Sequence, residues 1–231
     1  MSINQRIKTI DKLLEKEYGR RIWKKEGDPL SVLISTVLSQ NTSDTNSHRS
    51  YSKLKKVFRS WNEMRRAPIW KITQAIKSGG LSNIKAKRIK EILKGIPSRN
   101  GDLSLSFLEE WNTEKVESYL RSFGGVGEKT IACVLLFSLN RPSMPVDTHI
   151  FRVSKRLNVI PQNANFKMAG EILSRIVPSN KIYQCHINLI AFGRAVCKAR
   201  SPRCEICVLY SICRSKNKKP KIKLEEVYAE D

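Results

Sequence analysis

GGVGEKTIACVLLFSLNRPSMPVDTHIFRVSKRL, residues 124–157, sets a glycine-rich turn before an apolar run, breaks at a proline-bearing link and restarts at Asp147. Leu120, Phe123, Val126 and Ala132 recur at helical rather than alternating spacing, so the stretch reads as two helices joined through Gly125-Val126-Gly127. The same period runs outward in both directions. Toward the N-terminus, Ile7, Ile10, Leu13 and Leu14 mark one amphipathic helix, and Asp28-Pro29 supplies a cap and a first-turn proline for the run PLSVLISTVLSQ. Further helices are predicted near 44–58, 68–78, 83–94, 103–111, 113–122 and 127–139, then near 147–157, 165–176 and 180–197. Strand-like alternation is absent, connections are short and no repeat recurs, so the expected class is all-α. The link RPSMP near 141–145 is the expected domain seam, with the N-terminal helix needing an apolar partner of its own.

Chemistry concentrates around the hairpin. Gly125 and Gly127 permit positive φ and close approach, and the turn exposes backbone N–H groups at a helix N-terminus. Those donors and the helix dipole suit a phosphate and cannot read bases. A plain helix–helix turn has the same spacing. Lys129 falls in the first turn, and Asp147 follows eighteen positions later. An ordinary lysine is neutral only about once in 2,500 at pH 7, a penalty of about 4.6 kcal/mol for a mechanism needing its lone pair. Dipole and neighbouring cations reduce that penalty, and a carboxylate accepts the proton. Asp147 precedes THIFRVSKRL as an N-cap, a role that holds a carboxylate ionised and rigid. A solvated lysine and an ordinary cap are the bland alternatives.

Lys and Arg number 43 against 21 Asp and Glu, a formal charge of +22, while 40% hydrophobic content is too high for a disordered basic tail. The charge therefore belongs to a folded body, as in a groove tracking a phosphate backbone or a merely basic protein. No stretch reaches a membrane span and the N-terminus lacks a signal-peptide core, so a soluble intracellular, cytoplasmic protein is expected. Cys133 and Cys185 sit in apolar patterns as core residues; Cys197, Cys204, Cys207 and Cys213 crowd together. Four converging thiolates admit tetrahedral zinc or a 4Fe-4S cluster, and one close pair rather than two leans toward iron–sulfur. Between the first two ligands, KARSPR points Lys198, Arg200 and Arg203 outward as candidate phosphate contacts.

Together, GGVGEKT, MPVDTHIFRV and the cysteine string resemble the helix-hairpin-helix DNA glycosylases, specifically their iron–sulfur-containing endonuclease III branch. The resemblance implies two helical domains with DNA across the cleft between them: a six-helix barrel with the hairpin at 28–141, and a cluster domain formed by both termini, 1–27 with 142–215. Residues 216–231 remain as a charged flexible tail. It puts the catalytic lysine at Lys129, the catalytic aspartate at Asp147 and a 4Fe-4S cluster on the four cysteines. LSQNTSD, 38–44, matches the segment whose glutamine, Gln40, fills the gap of a flipped nucleotide, and GGLSNIKAKRI matches the loop that wedges Leu81 into the opposite strand. Gly124, Glu128, Ile131 and Ser82 depart from the family pattern.

The implied activity is base excision with abasic-site β-lyase chemistry on duplex DNA, removing damaged, oxidised pyrimidines as a nucleoid-associated monomer. Two alternatives stand beside it: a mismatch glycosylase acting on thymine or uracil opposite guanine, whose members generally lack the lysine, and a non-catalytic DNA-binding module.

Overall fold

The computed structural model describes residues 1–99, 102–215 and 218. Its α-helices are α1 (Ile3–Tyr18), α2 (Pro29–Ser39), α3 (Asp44–Val57), α4 (Trp61–Arg66), α5 (Ile69–Ala75), α6 (Ser82–Gly95), α7 (Thr113–Arg121), α8 (Glu128–Phe137), α9 (Thr148–Arg156), α10 (Phe166–Ile176) and α11 (Ile182–Ala195). Local chemistry sets their starts. Ser2 and Gln5 form a capping box on α1, Asp28 takes the Leu30 and Ser31 amides ahead of Pro29, and Ser43, Ser60, Asn112, Asp147 and Asn165 each accept one first-turn amide.

Contacts divide the chain into two units, Lys24–Arg141 and Met1–Trp23 with the chain from Pro142 on. In the first, α2 is apolar nearly all round, burying Leu30, Leu33, Ile34, Val37 and Leu38, and so lies at the centre. It packs against α3 and against α8, where Thr130 to Leu136 are all buried. Ile89, Ile92 and Leu93 of α6 and Val116 and Leu120 of α7 complete this core. Truncating one such leucine to alanine costs about 2–5 kcal/mol.

In the second unit, α11 packs on both α1 and α9. Ile7, Ile10 and Leu14 form the buried stripe of α1, facing a core that includes Ile182, Cys185, Leu189 and Phe192 of α11. The N-terminal helix thus finds its partner in the C-terminal half of the sequence. Cys133 and Cys185 are buried, as expected.

Three local expectations change. The helix expected over 103–111 is instead a strand residue pair and a short 3-10 turn: β1 (Ser98–Arg99) pairs antiparallel with β2 (Asp102–Leu103), and 3-10 geometry covers Ser106–Glu109. Ser104 Oγ accepts the Ser106 amide at 3.1 Å, a serine turn that competes with helix continuation. The 68–78 helix ends at Ala75 and tightens to 3-10 over Lys77–Gly79, while α4 is short enough to escape a periodicity search. Among the described residues no helix is long and apolar enough to cross a membrane. The tail expected at 216–231 lies outside the described residues apart from Lys218.

Candidate functional site

The hairpin begins where α7 ends. Gly125 holds φ at +81°, a left-handed conformation open to glycine, and a Cβ there would meet Arg88 Nε at 2.4 Å. Gly127 differs, since its φ of −98° with ψ near 180° is extended backbone that any residue adopts. It serves as the N-cap of α8 without a side-chain cap, and the amides of Gly127, Glu128 and Lys129 have no acceptor among the described residues. Three uncommitted donors on the positive end of a helix form an anion cradle. Lys129 stands exposed in that first turn with no ion-pair partner among the described residues. The Glu128 carboxylate, which opposes an anion there, is held by Arg121, whose Nη2 reaches Oε2 at 3.0 Å.

Gln40 joins this hairpin. Its Nε2 donates to the Gly125 carbonyl at 3.1 Å and lies 3.5 Å from Thr130 Oγ1, while its Oε1 accepts from Arg88 Nη1 at 2.7 Å. Leu81 lies apart from these contacts, 49% exposed, with φ +50° and ψ 35°. A branched apolar residue in the left-handed region costs on the order of 1–2 kcal/mol, and such strain gathers at functional loops. Asn41, next to Gln40, and Ser201, in the cysteine segment, also carry positive φ. Lys85 fixes the Leu81 loop from beneath. It is 1% exposed, and its Nζ donates to the Leu38 and Gly79 carbonyls at 2.8 Å each, with burial lowering its pKa.

In the other unit Asp147 caps α9, its Oδ1 accepting the Ile150 amide at 2.8 Å. The carboxylate is partly exposed, and Oδ2 has no partner among the described residues. Arg152 braces the helix start: its guanidinium donates to the carbonyls of Cys197 at 3.0 Å, Gly193 at 2.8 Å and Thr148 at 3.3 Å, and lies 3.2 Å from His149 Nδ1. Burial lowers its pKa, against the opposing pull of Cys197. Gly193 lets α11 approach closely, since a Cβ there would sit 2.9 Å from that of His149.

Cys197, Cys204, Cys207 and Cys213 line one solvent-open pocket. Among the described residues no three His, Cys, Asp or Glu side chains converge as a single metal ion requires. Four thiols lining a shared space are a donor set that fits a 4Fe-4S cluster, as it would tetrahedral zinc. Burial, followed by the other three cysteines, pushes the Cys207 thiol up to about 11, so a metal bound there would have to displace its proton. Arg156 donates to Cys197 Sγ at 3.3 Å and to the Lys198 carbonyl at 2.7 Å, and the buried Arg6 donates to the Leu157 and Ile212 carbonyls, the latter beside Cys213. Lys198, Arg200 and Arg203 are all exposed, with Arg203 shared by Glu205 at 3.7 Å.

Arg6, Arg88, Arg121, Arg152 and Arg156 were not singled out in the sequence. Arg152 and Arg156 carried a signal, being four apart on the helix that Asp147 starts. Arg88 and Arg121 carried none, since their partners lie across turns.

The pattern of the HhH-GPD superfamily of base excision DNA repair proteins matches residues 34–179. That of the iron-sulfur binding domain of endonuclease III matches residues 197–213, bounded by the first and last of the four cysteines. Endonuclease III of Thermotoga maritima is 35% identical over 82% of this chain and 84% of its own length. An Arabidopsis thaliana relative is also 35% identical, over 86% of this chain, which spans 63% of that longer protein. A non-covalent endonuclease III–DNA complex superposes with a TM-score of 0.78 at 27% identity, covering 93% of this chain and 96% of that one.

Proposed function

We propose, since the chain belongs to the HhH-GPD superfamily of base excision DNA repair proteins, that its chemistry runs through Lys129 and Asp147. The enzyme is a base-excision DNA glycosylase and abasic-site lyase of the endonuclease III kind, and its cofactor is a 4Fe-4S cluster. Neither a mismatch-restricted enzyme nor a non-catalytic module is favoured.

The observation that carries this reading is an exposed lysine amine in the first turn of a helix where the amides of the cap Gly127, Glu128 and Lys129 are uncommitted among the described residues. Phosphate held on those amides brings the backbone of the duplex to the amine. The target nucleotide leaves the stack at a cost of a few kcal/mol, least for a damaged base. Asp147, with one oxygen engaged as a cap and the other open, stabilises positive charge developing at C1′. Lys129, having given up a proton, attacks C1′; the bond from C1′ to the base breaks, and the base leaves with that electron pair and takes a proton. The sugar ring opens to a Schiff base between C1′ and Nζ. That imine acidifies the C2′ proton, its removal expels the 3′ phosphate, and water then releases the lysine.

Cys197, Cys204, Cys207 and Cys213 hold the cluster, whose contribution when bound is to fix the intervening segment. Lys198, Arg200 and Arg203 on that segment add phosphate contacts. Gln40 fills the vacated space in the duplex and Leu81 wedges the opposite strand. The substrate class is oxidised pyrimidine in duplex DNA, met by a monomer on the nucleoid, in keeping with a formal charge of +22.

A panel of duplexes carrying thymine glycol, uracil, mismatched thymine or an abasic site tests the reading. Excision of thymine glycol with strand nicking at the abasic site is expected; release of mismatched thymine alone, or no nicking, contradicts it.

A further inference from the structure

Both hydrogen-bonding ends of Gln40 are occupied. Oε1 takes the Arg88 guanidinium at 2.7 Å, and Nε2 is turned to the Gly125 carbonyl at 3.1 Å. An amide can present either end outward, and these two contacts fix which one. Arg88 has its seat because Gly125 lacks a side chain: a Cβ there would fall 2.4 Å from Nε and 2.6 Å from Cδ. One helical turn earlier, Lys85 ties the same helix, α6, to the carbonyls of Leu38 at the end of α2 and Gly79 at the end of the 3-10 turn, each two positions before Gln40 and Leu81 respectively. The cation pair on α6 thus spans the end of α2, the Leu81 loop and the hairpin turn.

We propose that Arg88 is a positioning residue for Gln40: it sets the orientation of the Gln40 amide against the hairpin, so that this side chain enters the duplex in one register with the Leu81 loop. Arg88 keeps donors beyond the one committed to Gln40, yet its function in this proposal is exercised through Gln40 rather than through phosphate. The inference rests on the reading of Gln40 as the residue that fills the vacated space.

The test is a double-mutant cycle on the cluster-loaded protein, using Arg88→Met, Gln40→Ala and the combined variant. Two readouts serve: single-turnover excision of thymine glycol, and fluorescence of 2-aminopurine placed opposite a tetrahydrofuran abasic analogue. Arg88→Met slows excision roughly tenfold and reduces the 2-aminopurine response, while affinity for undamaged duplex changes no more than roughly twofold. With Gln40 already alanine, removing Arg88 changes neither readout further. Additive losses, accompanied by a shallower salt dependence of binding, overturn the proposal in favour of a plain phosphate contact and leave the Gln40 reading intact. A Gln40→Ala protein matching wild type in both readouts overturns the Gln40 reading and this proposal with it.

Discussion

Arg121 Nη2 contacts both carboxylate oxygens of Glu128 at 3.0 Å, with Nε adding a third contact at 3.3 Å, across the turn that carries the candidate anion cradle. A negative charge at the first position of α8 opposes phosphate, and the guanidinium offsets it. Removing Arg121 therefore exposes that charge: Arg121→Ala should weaken duplex binding roughly threefold at moderate salt. Glu128→Ala should tighten it, and the double variant should return near wild type, as read by fluorescence anisotropy across a salt series. Equal losses in all three variants would contradict the offset.

Leu81 sits in the left-handed region while half exposed, so its conformation is kept for something other than burial. Leu81→Gly relieves strain of about 1–2 kcal/mol and adds a glycine entropy cost of about 0.5–1 kcal/mol. Thermal stability should thus stay close to wild type while excision slows by at least roughly tenfold. Paired melting curves and single-turnover rates check this, and unchanged excision would remove the wedge role.

Cys185 offers a pH test of the core. Its thiol is fully buried, and burial pushes it up from its ordinary 9.0 to about 12. The folded value lies above the unfolded one, so this contribution is intact below pH 9.0 and is lost as pH rises toward about 12, because only the unfolded chain ionises there. Stability should fall in that window by up to about 1.4 kcal/mol per pH unit, and Cys185→Ala should flatten this part of the dependence. Urea unfolding across the window decides it, with equal slopes in both proteins as the contrary result.

How much of this was legible in the sequence follows the range of each interaction. Asp28-Pro29, Asp147 and the four cysteines announce themselves because caps and ligand spacings are local. The segment at 103–111 misled because Leu103, Leu105, Phe107 and Leu108 are apolar and buried, yet Ser104 takes the Ser106 amide and closes a tight turn. Gln40 was found only by resemblance, and its hydrogen bonds join residues 48 and 85 positions away. No periodicity encodes such a pairing. Lys85 looked like one more surface cation among 43, and only packing makes it a buried brace.

The cysteine pocket makes an analytical prediction. Anaerobically purified protein should be brown and carry about four irons and four sulfides per chain. Cys204→Ser should lose that colour and weaken duplex binding, since Lys198 and Arg200 then lose their fixed loop. Stoichiometric zinc in place of iron would contradict the assignment.

The central claim is that the Lys129 amine becomes covalently bonded to the deoxyribose. Borohydride reduction during reaction with an abasic duplex measures this directly. Wild type should give a stable adduct whose cross-linked peptide contains Lys129, Lys129→Gln should give none, and Asp147→Asn should bind duplex while losing most excision. A full yield of adduct from Lys129→Gln would contradict the account.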